Sequence, residues 1–368
     1  MKTLISVGIP LALLILAALS IWFVETRLIA LFGIKRTFLW RIFFAGLYIL
    51  ALIGLIIGDK SANPVLGGLY VVGGVLWIFL LYMVLAFMLS FLVESIFKIP
   101  PAWGSGLALG TAIIATAWGI VAARGFVVSE TSIALSGLPA PFTIMHISDV
   151  HLGHHRRVDY LHKIVNATNA RHPDLVIING DLIDAAIALD EKVLAPLREF
   201  DAPVYFTGGN HEKYVNQARA EALVEKMGAR VLRNENVITH GIQLVGLRYM
   251  NADENTLDLH PSDERETIKS ALQTLKLDAG IPSVFVHHSP VGVEYMAEKG
   301  ARLVLSGHTH GGQVFPGTLF ARLLFTFSRG LASWGETQVL VSQGAGTFLV
   351  PVRSASRNEI NLIHLVPR

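Results

Sequence analysis

The sequence of 368 residues contains no cysteine. This absence excludes disulfide bonds, zinc sites built from thiolates and enzymes that use a cysteine nucleophile. Charged residues are also scarce, since they make up 16% of the sequence where about 25% is usual for a soluble domain. The net charge of +2 is too small to indicate nucleic-acid binding, and we expect no nucleic-acid partner.

Charged residues are depleted mainly from the N-terminal third. Residues 1–123 contain only 10 charged side chains, although the whole sequence has 30 basic and 28 acidic residues. Four apolar stretches lie here, and each reaches or approaches the ~20 residues that a helix needs to cross a bilayer. They cover residues 4–24, 38–58, 66–93 and 105–123. The pattern predicts a transmembrane region of four helices over residues 1–125. The absence of a charged residue at the centre of any stretch favours an anchor over a transporter.

Basic residues near the ends of these stretches predict the orientation of the chain. One side of the membrane receives Arg27, Lys35, Arg36, Arg41 and Lys98, and the other receives Lys2, Lys60 and Arg124. Because short cytoplasmic loops carry the excess of basic residues, the first group is expected in the cytoplasm. Four spans then place the C-terminal half outside the cytoplasm, in a multi-pass protein of the cell membrane.

The pattern changes after residues 126–141, whose Ser-Gly-Leu-Pro-Ala-Pro ending predicts a linker. Short apolar runs, typical of strands buried on both faces, then alternate with charged helical stretches. The runs are 142–147, 175–178, 204–206, 243–247, 284–286, 303–305, 339–341 and 360–365, and the helix candidates include 160–170 and 215–227. The alternation predicts a layered α/β or α+β domain over residues 142–368.

Polar clusters follow five of these runs directly. They are Asp149-Val150-His151, Gly180-Asp181, Gly209-Asn210-His211, His287-His288 and Gly307-His308-Thr309-His310. Ligand-binding groups gather at strand ends in open α/β sheets. Carboxylates, imidazoles and an amide oxygen suit divalent metals, and a close pair of such metals catalyses phosphoester hydrolysis. The clusters therefore predict a two-metal hydrolytic site.

The order of the clusters resembles the signature of the calcineurin-like metallophosphoesterases, over residues 142–367. The Gly-His-Thr-His-Gly-Gly-Gln string at residues 307–313 and the stretch 341–360 are similar to a narrower bacterial, often membrane-attached branch. That branch includes phosphodiesterases acting on lipid-linked substrates such as UDP-diacylglucosamine. The resemblance implies an αββα sandwich for the domain, with the membrane region outside it.

The resemblance also implies a role for each cluster. Asp149, His151 and His310 would hold one metal, Asn210, His288 and His308 the second, and Asp181 would bridge the two. The metals would lower the pKa of a shared water that attacks phosphorus in line. His211 would stabilise the transition state or protonate the leaving oxygen. Mn²⁺ is favoured, with Fe, Zn²⁺ and Co²⁺ as alternatives.

Three neighbouring positions have more than one interpretation. His288 is preferred to His287 as the ligand, because the resemblance places the ligand two residues before Pro290. Arg156 and Arg157 are candidates for binding a substrate phosphate, which arginine contacts in bidentate fashion, or belong to a solvated loop. Asp184 is expected to support a ligand or cap a helix.

The apolar stretch 314–331 follows the last cluster. It contains five leucine and phenylalanine residues between Phe315 and Leu324, together with Arg322. The stretch fits an interfacial segment that contacts acyl chains beside the site. Burial in the core and packing on the transmembrane helices are the alternatives.

The sequence as a whole predicts a membrane-anchored binuclear phosphoesterase that cleaves a phosphodiester or pyrophosphate bond, in a lipid-linked or envelope substrate. A tethered phosphomonoesterase or nucleotide phosphodiesterase is the alternative among enzymes. A receptor that only binds its ligand is the alternative outside enzymes, and it is disfavoured because every ligand position and His211 are filled.

Overall fold

A computed structural model describes residues 18–33, 35, 38–59, 63–256, 262 and 264–368. Helices form the N-terminal part: α1 at residues 18–32, α2 at Phe38–Asp59, α3 at Pro64–Phe97 and α4 at Pro101–Ala122. Asn63 caps α3 by accepting a hydrogen bond from the Val65 N–H, and proline occupies the first turn of both α3 and α4. Because proline lacks an N–H and has a helical φ, it suits these positions.

The prediction of four transmembrane helices is supported for two of them. In the described part of the chain, α3 and α4 are long and apolar enough to cross a bilayer, and only 28% of the most apolar window of each is buried. The apolar part of α2 is shorter, at Phe38–Gly54, and residues 4–17 of the first predicted span lie outside the described residues. Apolar helices that stay exposed indicate association with a membrane.

The C-terminal part alternates strands and helices. Its strands are β1 Val127–Leu135, β2 Phe142–Ile147, β3 Leu175–Asn179, β4 Val204–Thr207, β5 Arg230–Val231, β6 Glu235–Thr239, β7 Ile242–Gly246, β8 Ser283–Val286, β9 Ala301–Ser306, β10 Gly330–Trp334, β11 Thr337–Val341 and β12 Glu359–Pro367. Its α-helices are α5 Val158–Asn169, α6 Glu191–Leu194, α7 Asn210–Val215, α8 Gln217–Lys226, α9 Ile268–Thr274, α10 Val293–Glu298 and α11 Gly317–Leu324. Short 3₁₀ turns lie at Ala186–Ala188, Ala195–Glu199 and His310–Gly312.

The strands form two six-stranded sheets, ordered β1-β12-β2-β3-β4-β5 and β10-β11-β9-β8-β7-β6. In the first sheet, β2 to β5 run parallel, and β12 is antiparallel to β2. In the second, β7, β8, β9 and β11 run parallel. The carboxyl ends of neighbouring parallel strands meet at one edge of each sheet, where the predicted ligand clusters begin.

Three hydrophobic clusters define the layers of this domain. Ile144, Ile177, Val284 and Leu305 belong to the cluster between the sheets. The outer face of the first sheet packs with α5 and α8, and the outer face of the second packs with α9 and α10. The order is therefore helix, sheet, sheet, helix, as the αββα expectation requires.

The prediction of a linker at residues 126–141 was wrong for Val127–Leu135, which form strand β1. This strand pairs in parallel with β12 at the edge of the first sheet, with Val127 opposite Glu359. Most residues of β1 are exposed or half-buried. Its sequence therefore lacks the continuous apolar run that is typical of a central strand. An exposed edge strand of mixed polarity is hard to distinguish from a linker in the sequence.

The loop at residues 348–354 inserts between the domain and the helices. The N–H of Arg353 donates to the Gly119 carbonyl of α4 at 2.9 Å, and Ser354 is hydrogen-bonded to the Tyr82 hydroxyl of α3. A Cβ at Gly74 would lie 2.7 Å from the Val350 side chain. A Cβ at Gly119 would lie 2.5 Å from the Val352 side chain. Glycine therefore permits the close approach of helix and loop.

Candidate metal centre

The loops that follow β2, β3, β4, β8 and β9 bring the predicted ligands together. Most of these side chains are buried, and His308 is half-buried. Five of the positions have positive φ angles between 51° and 69°: Asp149, His151, Asp181, His308 and His310. A side chain in this left-handed region costs about 1–2 kcal/mol, so the surrounding loops hold these residues against their backbone preference.

The first group consists of Asp149, His151 and His310. His151 Nε2 faces His310 Nε2 at 3.0 Å, and His310 Nε2 lies 3.4 Å from Asp149 Oδ1. The His151 Nδ1–H is directed to Asp184 Oδ1 at 3.0 Å, which leaves the lone pair of His151 on Nε2, toward His310. A cation between these atoms would be held by two imidazoles and a carboxylate.

The second group contains Asp181, His288 and His308, with Asn210 beside them. His288 Nε2 lies 3.0 Å from Asp181 Oδ2, and His308 Nδ1 lies 3.0 Å from Asn210 Oδ1. Asp181 Oδ2 is also 3.8 Å from His151 Nε2 in the first group. The Asp181 carboxylate therefore stands between the two groups.

The donor set fits a pair of divalent metal ions. His288 Nδ1–H donates to the Asn179 carbonyl at 2.8 Å, and its buried Nε2 faces the Asp181 carboxylate at 3.0 Å. An imidazole whose far nitrogen is fixed by a carbonyl presents the other nitrogen as a ligand. This observation supports the binuclear centre that the sequence predicts.

His211 adjoins the first group. Its Nδ1 lies 2.8 Å from Asp184 Oδ1, and its ring contacts those of His151 and Phe348 at 4.7 and 5.2 Å between centroids. Burial disfavours a charged imidazole, but Asp181 and Asp184 outweigh burial and raise the pKa of His211 to about 9. A protonated, positioned imidazole next to the groups is suited to giving a proton to a reacting oxygen.

Comparison with known proteins relates this geometry to one family. The profile of the calcineurin-like phosphoesterases matches residues 142–312. An uncharacterized metallophosphoesterase of Aquifex aeolicus is 30% identical over 226 residues, which cover 60% of this chain and 83% of that protein. The chain belongs to the calcineurin-like metallophosphoesterase family. Members of this family are metal-dependent phosphoester hydrolases, and the two groups of ligands fit the binuclear divalent metal centre of such an enzyme.

Two other metallophosphoesterases are similar to this chain, and one of them is a transmembrane protein. An uncharacterized metallophosphoesterase of Helicobacter pylori is 33% identical over 245 residues, or 66% of this chain and 64% of that protein. A transmembrane protein with a metallophosphoesterase domain from Danio rerio is 31% identical over 271 residues, or 69% and 61% of the two chains. The chain thus spans just under two thirds of the length of these two relatives.

Two residues of the metallophosphoesterase site escaped the sequence interpretation. Glu212 is fully buried, and its carboxylate accepts hydrogen bonds from the N–H groups of Asp181, Ile183 and Gly209 at 2.8–2.9 Å. Burial and the neighbouring Asp181 carboxylate raise the pKa of Glu212. Its position next to His211 was the available signal, because an acid that follows a ligand cluster directly is placed to bond the loop backbones.

Arg353 is the second residue: it lies in the 341–360 stretch of the resemblance, but the sequence interpretation gave it no role in the site, and it too is fully buried. Its guanidinium donates to the carbonyls of His310, Gln343 and Gly346 at 3.2, 2.8 and 2.7 Å. One arginine therefore joins the last ligand turn to the loops that enclose it. Sequence offers little signal for such a role, because arginine is rarely buried.

The structure also shows the contacts of the histidine and arginine pairs whose roles the sequence left open. His287 Nδ1 donates to the Ser289 carbonyl, whereas His288 faces Asp181. Arg156 is buried, and its guanidinium donates to Thr347 Oγ1 at 2.6 Å and to the Ala123 carbonyl at 2.8 Å. Arg156 therefore contacts the C-terminal end of α4 and not the metal ligands. These contacts give no support to its predicted phosphate-binding role. Arg157 is exposed just before α5.

Metal binding is expected to release protons, because His288 must lose a proton before Nε2 can bind a cation. Burial works against charge on His288, but Asp181 and Asp149 outweigh it and raise its pKa to about 10. Below about pH 10, the apparent affinity of the site for a metal ion should fall roughly tenfold per pH unit for each proton that the metal displaces. Calorimetric Mn²⁺ titrations at pH 7.5, in buffers of different ionisation enthalpy, count the protons released. A count of zero contradicts the expectation, and a His288→Asn variant should release one proton fewer.

Proposed function

We propose that this metallophosphoesterase is a membrane-anchored enzyme that hydrolyses a phosphodiester or pyrophosphate bond in a lipid-linked or envelope substrate. The observation that carries the proposal is the position of Asp181 between two groups of metal ligands, with His211 beside them. The loop 348–354, which packs on α3 and α4, places this site directly against the apolar helices.

Each ligand has a specific role in the proposal. Asp149, His151 and His310 would hold one metal, Asn210, His288 and His308 would hold the other, and Asp181 would contribute to both. When bound, the metals supply Lewis-acid polarisation of the phosphoryl group and a nucleophilic water at neutral pH. Mn²⁺ is the proposed metal on the family resemblance, and Fe, Zn²⁺ and Co²⁺ are the alternatives that the same oxygen and nitrogen ligands accept.

His211 is proposed as the proton donor to the leaving oxygen. Asp184 accepts from its Nδ1–H, so the other ring nitrogen is free to face the substrate. The same carboxylate faces His151 Nδ1, which couples the orientation of a ligand to that of the proton donor. The shared carboxylate therefore fixes both rings in one arrangement.

The membrane part of the proposal keeps the multi-pass anchor predicted from the sequence. Exposed apolar side chains on α3 and α4, such as Leu89, Phe91, Ile114 and Trp118, are suited to lipid contact. In this proposal the four apolar stretches of the sequence are the spans, and the catalytic domain lies outside the cytoplasm of a bacterial cell. The bilayer and a phosphoester substrate are the partners that the proposal requires.

The experiment that tests the proposal measures hydrolysis of bis-p-nitrophenyl phosphate and of the monoester by detergent-purified protein. Activity with added Mn²⁺ should disappear with a chelator and return on readdition of the metal. The His211→Ala variant should lose about 10²–10⁴-fold in rate while retaining bound metal, because only a proton transfer is removed.

The outcomes separate the candidate functions. Preference for the monoester would replace the diesterase proposal with a phosphomonoesterase. Unchanged turnover in His211→Ala would remove that residue from the mechanism. Folded protein with bound metal and no activity on either ester would favour a binding role, which the complete set of ligands disfavours.

A further inference from the structure

We propose that helix α11 lies in the plane of the membrane interface, with its apolar face in contact with lipid acyl chains. The metal centre next to this helix would then meet phosphoester groups at the level of the lipid headgroups. The inference deepens the proposed function, on which it rests for the chemistry of cleavage.

Helix α11 presents a continuous apolar surface. Leu319, Phe320, Leu323 and Leu324 are 51%, 58%, 81% and 55% exposed, and Ala321 is the residue that packs inward. At about 100° per residue, the four large side chains cover an arc of roughly 140°, and the exposed Arg322 lies outside it. An apolar face flanked by a basic residue is typical of helices that lie in a membrane interface.

The start of α11 is fixed to the membrane helix α3. Val314 packs against the hydrophobic cluster formed by the N-terminal helices. The Phe315 N–H donates to Ser354 Oγ at 3.2 Å, and Ser354 is hydrogen-bonded to the Tyr82 hydroxyl. The start of α11 is therefore linked through Ser354 to Tyr82 of α3.

The position of Tyr82 along α3 places it at the level of the hydrocarbon core of the bilayer. The buried Arg27–Glu94 ion pair and the exposed Lys98 mark the far end of α3. Tyr82 is 12 residues before Glu94, which at 1.5 Å per residue is about 18 Å, against ~30 Å for the hydrocarbon core. The 34 residues of α3 span about 51 Å, so its first turns extend beyond the bilayer beside the catalytic domain.

The same segment reaches the metal ligands. The turn His310–Gly312 precedes α11 by only a few residues, and Phe325, which ends the helix, has its ring 5.9 Å from that of His308. A lipid phosphoester would therefore approach the ligands sideways from the bilayer, with its acyl chains along α11. Because the face of α11 is exposed within the chain, packing into the protein core does not account for it.

The experiment uses the absence of cysteine from the natural sequence. Leu323→Cys, labelled with an environment-sensitive NBD fluorophore, is reconstituted as the full chain in nanodiscs of phosphatidylcholine and phosphatidylglycerol. Emission should shift to the blue, and phosphatidylcholine with a doxyl group on its acyl chain should quench roughly half or more of the intensity. Ile114→Cys, on the exposed face of α4, is the control expected to be quenched. Ile238→Cys, 65% exposed on β6 at the opposite edge of the second sheet, is the control expected to stay in water.

A Leu323 label that behaves like the Ile238 label, while Ile114 is quenched, would overturn the proposal. Shielding of Leu323 from both the doxyl lipid and aqueous iodide would also overturn it, because the face would then be covered by protein. Hydrolysis of bis-p-nitrophenyl phosphate by the same labelled samples tests the catalytic proposal separately from the position of α11. Quenching without hydrolysis would uphold the interfacial helix and reject the catalytic function.

Discussion

Replacing Asp181 by asparagine is expected to lower phosphodiester turnover by roughly a thousandfold or more. The Asp181 carboxylate stands between the two ligand groups, 3.0 Å from His288 Nε2 and 3.8 Å from His151 Nε2. An amide of the same shape has one weak oxygen ligand and no charge, so it cannot serve two cations. Losing several kcal/mol of transition-state stabilisation corresponds to about three powers of ten in rate.

The measurement is kcat/KM for bis-p-nitrophenyl phosphate together with the metal content of the purified variant. The metal content should fall from two ions per chain toward one. Asp201→Asn, at an exposed aspartate that precedes the start of β4 while the ligand loop follows its end, is the matched control and should leave both values unchanged. Near-normal turnover by Asp181→Asn would reject the bridging role and with it the two-metal interpretation of this site.

Arg353→Met should produce a large loss of stability. The guanidinium is fully buried and serves the carbonyls of His310, Gln343 and Gly346. Methionine fills much of the volume but leaves these acceptors without a partner, at about 1–3 kcal/mol for each group that water does not reach. A total of about 3–5 kcal/mol would lower the melting temperature by roughly 10 °C.

Thermal unfolding in detergent, followed by intrinsic fluorescence, checks this expectation. Arg357→Met is the matched control, because the Arg357 side chain is 62% exposed and pairs with Glu359 at the surface. Arg353→Lys should recover only part of the loss, since an ammonium cannot reach three divergent carbonyls as a guanidinium does. A melting temperature that Arg353→Met leaves within a degree or two of the wild-type value would contradict the role assigned here.

The sequence allowed the central part of the domain to be predicted, because its strands are apolar on both faces. The runs at 142–147, 175–178 and 303–305 correspond to β2, β3 and β9 with small differences at their ends. The ligand positions could be found for the same reason, since each begins where such a run stops. Strong local patterning made these predictions independent of the rest of the fold.

The edges of the sheets could not be predicted in this way. Strand β10 is exposed along its whole length, β5 has two residues, and β1 alternates irregularly between exposed and buried positions. Such strands form because a neighbouring strand offers free backbone groups, which is a tertiary effect. Arg353 and Glu212 were missed for a related reason, since their partners are backbone groups that only the folded loops bring together.

The contact between the 348–354 loop and the helices limits how freely this protein could be rearranged. Gly74 and Gly119 each lack the side chain that would collide with Val350 or Val352. If the hydrolase domain were separated from the helices before Val127, the apolar side chains of the 348–354 loop would be exposed to water, and the domain would be prone to aggregate. An unrelated membrane anchor would collide with Val350 and Val352 unless it had small residues at the positions that face them. The two halves of the chain are thus expected to have changed together during evolution, with the anchor contributing to the shape of the enzyme.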